Sequence, residues 1–184
     1  MSIIRISGTD APTIARKLFR TPAGKPANEF TSHKIYYGSI HDPATGECID
    51  EVVLTWFQVP KSYTGEDVIE ICAHGGMFVS SRILGLALDH CARPAEPGEF
   101  TRRAFMNGRI DLSQAEAVAD LIAAASDKAL QSALTQLKGH LSKKVNALYD
   151  RLLSVLSQIE AAIDFPEEGL DLQKRETSIN EVQQ

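Results

Sequence analysis

Over the first half of the chain, short β-branched runs alternate with amphipathic stretches, which predicts strands interleaved with helices. The run "IIRIS" (3–7) has the composition of a strand. It is followed by "TDAPTIARKLF", where an early proline and the spacing of Ile14 and Leu18 predict a short helix. The segments "HKIYYGSI" and "CIDEVVLTWF" flank the turn-forming "HDPATGE" and predict a β-hairpin. "DVIEICAH" then predicts a half-buried strand and "MFVSSRILGLALDHC" a helix, so the predicted order is βαβββα.

In the second half of the chain, every periodic segment has helical spacing. A short helix is predicted at 99–106, because Asn107 and Gly108 form a typical helix C-terminus. Ser113 and Glu116 have the S-x-x-E spacing of a capping box, which predicts the start of the next helix.

The longest pattern lies between Leu130 and Ile163, where apolar residues recur at steps of four and three that average near 3.67. This is close to an eleven-residue period, so the apolar stripe stays on one face of a nearly straight helix. At about 1.5 Å per residue, the predicted helix is on the order of 55 Å long and ends at Pro166. Such a stripe is buried only against other helices, which predicts a bundle.

These elements predict two domains. Residues 1–111 are predicted to form an α+β or α/β domain, with helices packed on a mixed sheet. Residues 112–184 are predicted to form the first part of an all-α helical bundle, which this segment leaves incomplete.

Composition narrows the class of protein. The chain has 184 residues, of which 43% are hydrophobic and 23% charged, as in a folded globular protein. A net charge of -5 argues against a general polyanion-binding protein, which usually carries a basic surplus. No run approaches the roughly 18 apolar residues of a membrane span, and no secretory signal is present. We therefore expect a cytoplasmic protein without a membrane partner.

The three cysteines, Cys48, Cys72 and Cys91, are odd in number and widely spaced, which predicts buried free thiols in a reducing compartment. Cys72 and His74 have no second ligand pair nearby, so no metal site is predicted and Cys72 is expected to be buried on a strand. The "HGG" at 74–76 is either an anion site before a helix or a tight turn that needs glycine.

A cluster of charges surrounds the short helix predicted at 99–106. It contains Arg93, Glu96, Glu99, Arg102, Arg103 and Arg109. One interpretation is a solvated helix face with salt bridges that contribute little. The other is a pocket wall for an anionic or polar planar ligand, since arginine forks pair with carboxylates and stack on flat rings. Composition does not decide between them, and no catalytic residue is predicted because no nucleophile or base stands out.

Four segments carry a resemblance to a known family. "RISG", "YTGEDVIEICAHGG", "RPAEPGEFTRRAFMNGRIDLSQAEAVADLI" and "AAIDFPEE" occur in this order. From Ile3 to about Asp171, the chain resembles the bacterial and organellar tRNA-modification GTPases, the MnmE or TrmE family. The resemblance implies a head that binds 5-formyltetrahydrofolate and joins two subunits, with a fold like that of folate-binding domains in one-carbon transfer enzymes. It also implies a helical domain into which a Ras-like GTPase domain is inserted.

The resemblance further implies an activity for the parent enzyme. With an FAD-dependent partner protein, members of the family add an aminomethyl-type group to C5 of the wobble uridine of certain tRNAs, and folate is the proposed one-carbon carrier. GTP, Mg²⁺ and K⁺ belong to the GTPase domain. No G-x-x-x-x-G-K-[ST] motif occurs in the 184 residues, so this chain is expected to be a fragment or an abbreviated gene product without GTPase activity of its own.

Three residues match the folate contacts of the family: Arg5 in "RISG", Glu70 in "GEDVIE" and Arg109 in "NGR", where the family commonly has lysine. The resemblance implies that Glu70 accepts N–H donors of the pterin edge and that Arg5 or Arg109 holds the glutamate tail. A structural alternative is that Arg5 and Glu70, both on strands, simply pair with each other. The alternative function is a non-enzymatic module that dimerises and docks a protein or RNA partner.

Overall fold

The computed structural model describes residues 1–24 and 30–164. The chain divides into two compact units, Met1–Ile110 and Asp111–Gln184. The first unit contains a five-stranded sheet in the order β1-β5-β4-β3-β2. Its strands are β1 (Ser2–Ser7), β2 (Phe19–Arg20), β3 (Ile35–His41), β4 (Cys48–Phe57) and β5 (Val68–Ala73). Its helices are α1 (Ala11–Leu18), α2 (Met77–Asp89) and α3 (Glu99–Met106).

The predicted fold class is confirmed, with one correction to the sheet. Helices accompany a sheet in the first unit, and helices follow it in the second. Every strand pairing in the described sheet is antiparallel, so the sheet is not mixed and the α+β class applies. The β3–β4 and β4–β5 pairs join strands that are consecutive in sequence and directly connected, which favours antiparallel pairing, whereas β1 pairs antiparallel with β5, which is distant in sequence. The two-residue β2 is absent from the predicted order because it is too short to show a hydrophobic period.

The sheet has one buried face and one outer face. Ile4, Leu54 and Ile71 project from the buried face and form a common core with Ile14 of α1 and Ile83 of α2. Full burial of a side chain of this size contributes about 1.5–3 kcal/mol, so the alternation along each strand fixes which residues face the helices. The outer face carries, from β1 across to β3, the side chains of Ile3, Arg5, Ser7, Glu70, Cys72, Val53, Thr55, Tyr37 and Ile35.

The second unit contains α4 (Leu112–Ala123), α5 (Asp127–Leu137) and α6 (His140–Asp164). The helix start predicted from Ser113 and Glu116 is wrong. The N-cap of α4 is Asp111, whose carboxylate accepts the backbone N–H of Gln114 at 2.9 Å, while the Gln114 side chain accepts the Asp111 N–H at 3.0 Å. The Asp-x-x-Gln pair makes the same reciprocal capping bonds two residues earlier. The Ser142 hydroxyl, which donates to Asp111 at 2.6 Å, helps to hold the pKa of this carboxyl below its usual value.

The single long helix predicted from Leu130 to Ile163 is also wrong. The structure has two helices there, α5 and α6, with a break at 138–139. Gly139 has φ +74°, a left-handed conformation that ends a helix, and the Gln114 amide donates to the last carbonyl of α5, that of Leu137, at 2.8 Å. The spacing of the apolar residues continues unchanged across the break. A prediction from the spacing of side chains therefore does not detect a helix end that depends on the backbone conformation of one glycine. The helix end predicted at Pro166 lies outside the described residues.

The cysteines are free thiols, and their burial differs from the prediction. Cys72 lies on β5 and is half-buried, whereas Cys48 and Cys91 are exposed, so the prediction of buried thiols is wrong for these two. Cys48 is the first residue of β4, and Cys91 follows the C-terminus of α2 with φ +74°, so both lie at the boundary between an element and a loop, where side chains are commonly exposed. Within residues 1–24 and 30–164, no helix has both the length and the apolar character to cross a membrane.

The Gly38→Ala substitution is expected to destabilise the first unit. Gly38 lies on β3 beside β2, and a Cβ at this position would overlap the carbonyl oxygen of Arg20 and the ring of Phe19. Because part of this obstacle is backbone, we expect the free energy of unfolding in urea to fall by about 1–3 kcal/mol. Gly85→Ala in α2 is the matched control. It meets no atom within 4 Å and should gain up to about 1 kcal/mol, since alanine is the better helix former. Equal stability of Gly38→Ala and the wild type would contradict this packing.

Candidate functional site

Arg5 and Glu70 meet on the outer face of the sheet. The register of β1 against β5 places the two residues directly opposite each other. The Arg5 Nε donates to Glu70 Oε1 at 2.7 Å, and Arg5 Nη2 lies 2.6 Å from the same oxygen. The side chains are 43% and 24% exposed, so the pair is accessible from solvent. The structural pairing that the sequence left open is therefore present.

This ion pair uses only one of the two carboxylate oxygens. Both contacts end on Glu70 Oε1, and within the described residues neither Glu70 Oε2 nor Arg5 Nη1 has a hydrogen-bond partner. A closed arginine–carboxylate pair would use two parallel N–H···O bonds and both oxygens. One carboxylate acceptor on Glu70 and one guanidinium donor on Arg5 therefore remain without a partner among the described residues on the outer face. Such a combination fits a planar ligand whose edge carries both donors and acceptors.

Arg109 lies outside this pair, on the segment that follows α3. Its Nε donates to the carbonyl oxygen of Ser62 at 3.2 Å. Ser62 belongs to the loop that connects β4 with β5, the strand that carries Glu70. The structure therefore brings two of the three predicted contacts together and attaches the third to the loop that precedes β5.

Glu99 is the centre of the charged cluster around α3. Its side chain is only 2% exposed, and its carboxylate accepts hydrogen bonds from the guanidinium groups of Arg93 and Arg103 and from the backbone N–H of Glu96. Arg93 lowers the pKa of Glu99 most, and with the Glu96 N–H and Arg103 it brings this pKa to about 2. By contrast, Arg102 and Glu96 form an exposed pair at 3.3 Å. The solvated-face interpretation fits that pair, whereas Glu99 is a buried carboxylate bound by two arginines that are themselves partly exposed.

The same network reaches β1. Arg103 Nη1 donates to Glu66 at 2.9 Å, and the hydroxyl of Ser7 donates to the same Glu66 oxygen at 2.9 Å. Ser7 also shares a 2.7 Å hydrogen bond with Thr64, which is fully buried. Ser7 follows Arg5 on the same face of β1, so α3 is connected to the strand that carries the candidate site.

A cavity of about 240 Å³ lies along the free edge of β1. Its wall includes Arg5, Arg93, Glu99, Phe100 and Arg103 together with apolar side chains of α1 and α2. The guanidinium carbon of Arg5 lies 5.8 Å from the centre of the Phe100 ring, within the range of a cation–π contact. The hydrophobic pattern of the sequence does not single out Phe100, because a single aromatic residue beside an acid has no period. The available signal in the sequence is its place in "GEFTRR", directly after Glu99 and shortly before Arg102 and Arg103.

His74 has a structural role in this fold. Its backbone N–H and its imidazole Nδ1 both bond the carboxylate of Asp50 at 2.8 Å, which ties the end of β5 to β4. The tight-turn interpretation of "HGG" is favoured by the two glycines, because a Cβ on Gly75 would clash with the Met1 backbone and Gly76 has φ +156°. Across residues 1–24 and 30–164, there is no group of three or more His, Cys, Asp or Glu side chains that could hold a metal ion.

The buried carboxylate makes stability depend on pH. Because the pKa of Glu99 is lowered from 4.5 to about 2 on folding, its contribution is complete above pH 4.5 and is lost as the pH falls towards 2. Glu99→Gln removes this dependence. We expect the difference in unfolding free energy between the wild type and Glu99→Gln to be largest at pH 6 and to shrink steadily down to pH 3 in urea titrations. A difference that is constant over this range would contradict the assignment.

Comparison with known proteins places these features in a family. The family described as "GTP-binding protein TrmE N-terminus" matches residues 1–109, and the "MnmE helical domain" matches residues 112–184. The chain is 52% identical over 167 residues to the tRNA modification GTPase MnmE of Lysinibacillus sphaericus, an alignment that covers 91% of this chain and 36% of the relative. It is 51% identical over 171 residues to the protein of the same name from Geobacter sulfurreducens, covering 93% of this chain and 37% of the relative.

The protein of that name from Levilactobacillus brevis is 52% identical over 167 residues, which covers 91% of this chain and 35% of the relative. The chain therefore spans little more than a third of the length of these relatives. The N-terminal family model matches residues 1–109, more than half of the chain, and the helical-domain model matches residues 112–184. The chain therefore belongs to the TrmE/MnmE family.

Proposed function

We propose that this chain is the folate-binding and dimerising region of a tRNA-modification GTPase, and that it binds 5-formyltetrahydrofolate through Arg5, Glu70 and Arg109. The observation that carries the proposal is the one-sided Arg5–Glu70 pair, in which Glu70 Oε2 and Arg5 Nη1 have no hydrogen-bond partner among the described residues. A pterin edge offers adjacent N–H donors to such a carboxylate oxygen. The glutamate tail of the folate offers carboxylates to an arginine.

The energetics of the pair support binding over stability as its main role. A partly exposed ion pair of this kind contributes about 0–1 kcal/mol to folding. A hydrogen bond between a ligand and a charged group contributes about 1.5–3 kcal/mol. Loss of the Glu70 charge should therefore affect ligand affinity more than it affects folding.

The activity of the parent enzyme is part of the same proposal. The relatives are named as tRNA modification GTPases. We assign to the parent protein the addition of an aminomethyl-type group to C5 of the wobble uridine, together with an FAD-dependent partner protein and tRNA in the cytoplasm. GTP, Mg²⁺ and K⁺ would bind in the part of the relatives that does not align with these 184 residues, because no P-loop motif occurs in them.

The outer face of the sheet supports a homodimer. Ile3, Ile35 and Tyr37 on this face are 58%, 74% and 57% exposed. Together with the half-buried Val53 and Cys72, they form an apolar area beside the Arg5–Glu70 pair. An apolar sheet face of this kind usually marks an interaction site. We assign it to a second copy of the chain.

The direct test of ligand binding is Glu70→Gln, which keeps the size of the side chain and removes its charge. We expect the affinity for 5-formyltetrahydrofolate, measured by calorimetry, to fall at least tenfold while the far-ultraviolet circular dichroism stays unchanged. Glu47→Gln is the matched control, because it also removes one carboxylate from an ion pair, that of Glu47 in the β3–β4 hairpin with Arg82 of α2 at 3.2 Å. This variant should bind folate as the wild type does. A wild-type chain that does not bind folate would refute the proposal and favour the docking module. Normal affinity in Glu70→Gln would refute the site.

Dimerisation is tested on the outer face. Ile35→Lys places a charge at a position that is 74% exposed, so the isolated chain should tolerate it. We expect the dimer dissociation constant in sedimentation velocity to rise at least tenfold, because the charge would have to be desolvated in the interface. Met77→Lys, at an 88% exposed position on α2, is the control and should dimerise normally. Identical association of both variants would exclude this face as the interface.

A further inference from the structure

The Arg5 guanidinium needs an external support to keep the geometry of the candidate site. Arginine has a long flexible side chain, and that of Arg5 is 43% exposed on an edge strand. Its contacts with Glu70 end on a single oxygen, so the carboxylate alone leaves the guanidinium free to rotate about that contact. A side chain that binds a ligand through a defined N–H direction loses affinity when it must first be ordered.

Phe100 is placed to supply this support. The centre of its ring lies 5.8 Å from the guanidinium carbon of Arg5, on the side of the cavity along β1. An aromatic face attracts a guanidinium within about 6 Å, and arginine stacks readily on such rings. The contact therefore limits the orientation of Arg5 from a direction that Glu70 does not occupy.

Phe100 is itself fixed from both sides. The preceding residue, Glu99, is buried and bound by two arginines. The following residue, Thr101, shares a 3.0 Å hydrogen bond with the Tyr63 hydroxyl from the β4–β5 loop. The first turn of α3 is thus attached to the rest of the unit at both neighbours of Phe100, so the position of its ring is determined by the fold.

We propose that Phe100 is a positioning residue that acts through Arg5: its ring holds the guanidinium so that Nε and Nη2 face Glu70 and Nη1 faces the ligand. The inference rests on the proposed folate site and adds to it a residue that determines affinity. In this role Phe100 affects ligand binding only as long as Arg5 is present.

A double-mutant cycle tests this dependence. Phe100→Leu keeps an apolar side chain of similar volume and removes the ring, while Phe100→Tyr keeps the ring. Calorimetry with 5-formyltetrahydrofolate should show affinity reduced about two- to fivefold in Phe100→Leu and near the wild-type value in Phe100→Tyr. In an Arg5→Gln background, Phe100→Leu should cause no additional loss. Wild-type affinity in Phe100→Leu would overturn the proposal, and so would an equal loss in the Arg5→Gln background, because Phe100 would then act on the ligand or the fold directly.

A second measurement needs no ligand. The Arg5 Nε–H resonance of the full chain without folate is identified by its absence in Arg5→Gln. In Phe100→Leu, this resonance should change its chemical shift, and its ¹⁵N order parameter should fall. In Phe100→Tyr, the chemical shift and the order parameter should both stay near their wild-type values. Unchanged Arg5 signals in Phe100→Leu would overturn the positioning role. If the wild type binds no folate, the proposed function fails, and the resonance experiment still decides whether Phe100 orients Arg5.

Discussion

The pairing register between β1 and β5 is the constraint on which the candidate site depends. Antiparallel pairing places Arg5 directly opposite Glu70, and the alternation along both strands points the two side chains to the outer face. A shift of one residue would turn Ile4 and Ile6 outward and bury the charges. The core between the sheet and the helices α1 and α2 excludes that shift, since it would expose the apolar side chains that stabilise the unit. The energy of the core thus fixes the geometry of a weak surface ion pair.

The first unit contains two charged clusters, one around Glu99 and one formed by Arg5 and Glu70. They differ in how many of the hydrogen-bonding groups of the carboxylate have a partner. Glu99 is buried, and both of its carboxylate oxygens accept hydrogen bonds from arginines: those from Arg93 and the Glu96 N–H attach the start of α3 to the preceding segment, and that from Arg103 lies within α3. Glu70 is partly exposed, and only one of its oxygens is used. A buried carboxylate tolerates no missing partner, whereas an exposed one does so at little cost. The first arrangement stabilises the scaffold, and the second leaves bonding capacity for a ligand.

Much of the first unit was predictable from its pattern, because β-branched alternation and apolar helical spacing report directly on which side chains are buried. The hydrophobic pattern does not specify which residues of β1 and β5 lie opposite each other. It therefore placed Arg5 and Glu70 on strands without predicting whether they are in contact. Local backbone chemistry was the weakest part of the prediction. Asp111 with Gln114 replaced the expected capping pair, and Gly139 divided the expected long helix. Phe100 and the burial of Glu99 depend on contacts between distant segments, and a single sequence gives no period or spacing for such contacts.

The central claim is that the unused groups of the Arg5–Glu70 pair receive a folate. A crystal structure of the chain with 5-formyltetrahydrofolate tests it most directly. The account predicts pterin N–H donors at hydrogen-bond distance, about 2.7–3.2 Å, from Glu70 Oε2. It also predicts an acceptor atom of the ligand at the same distance from Arg5 Nη1. A folate bound elsewhere, with Arg5 closed onto both oxygens of Glu70, would contradict it.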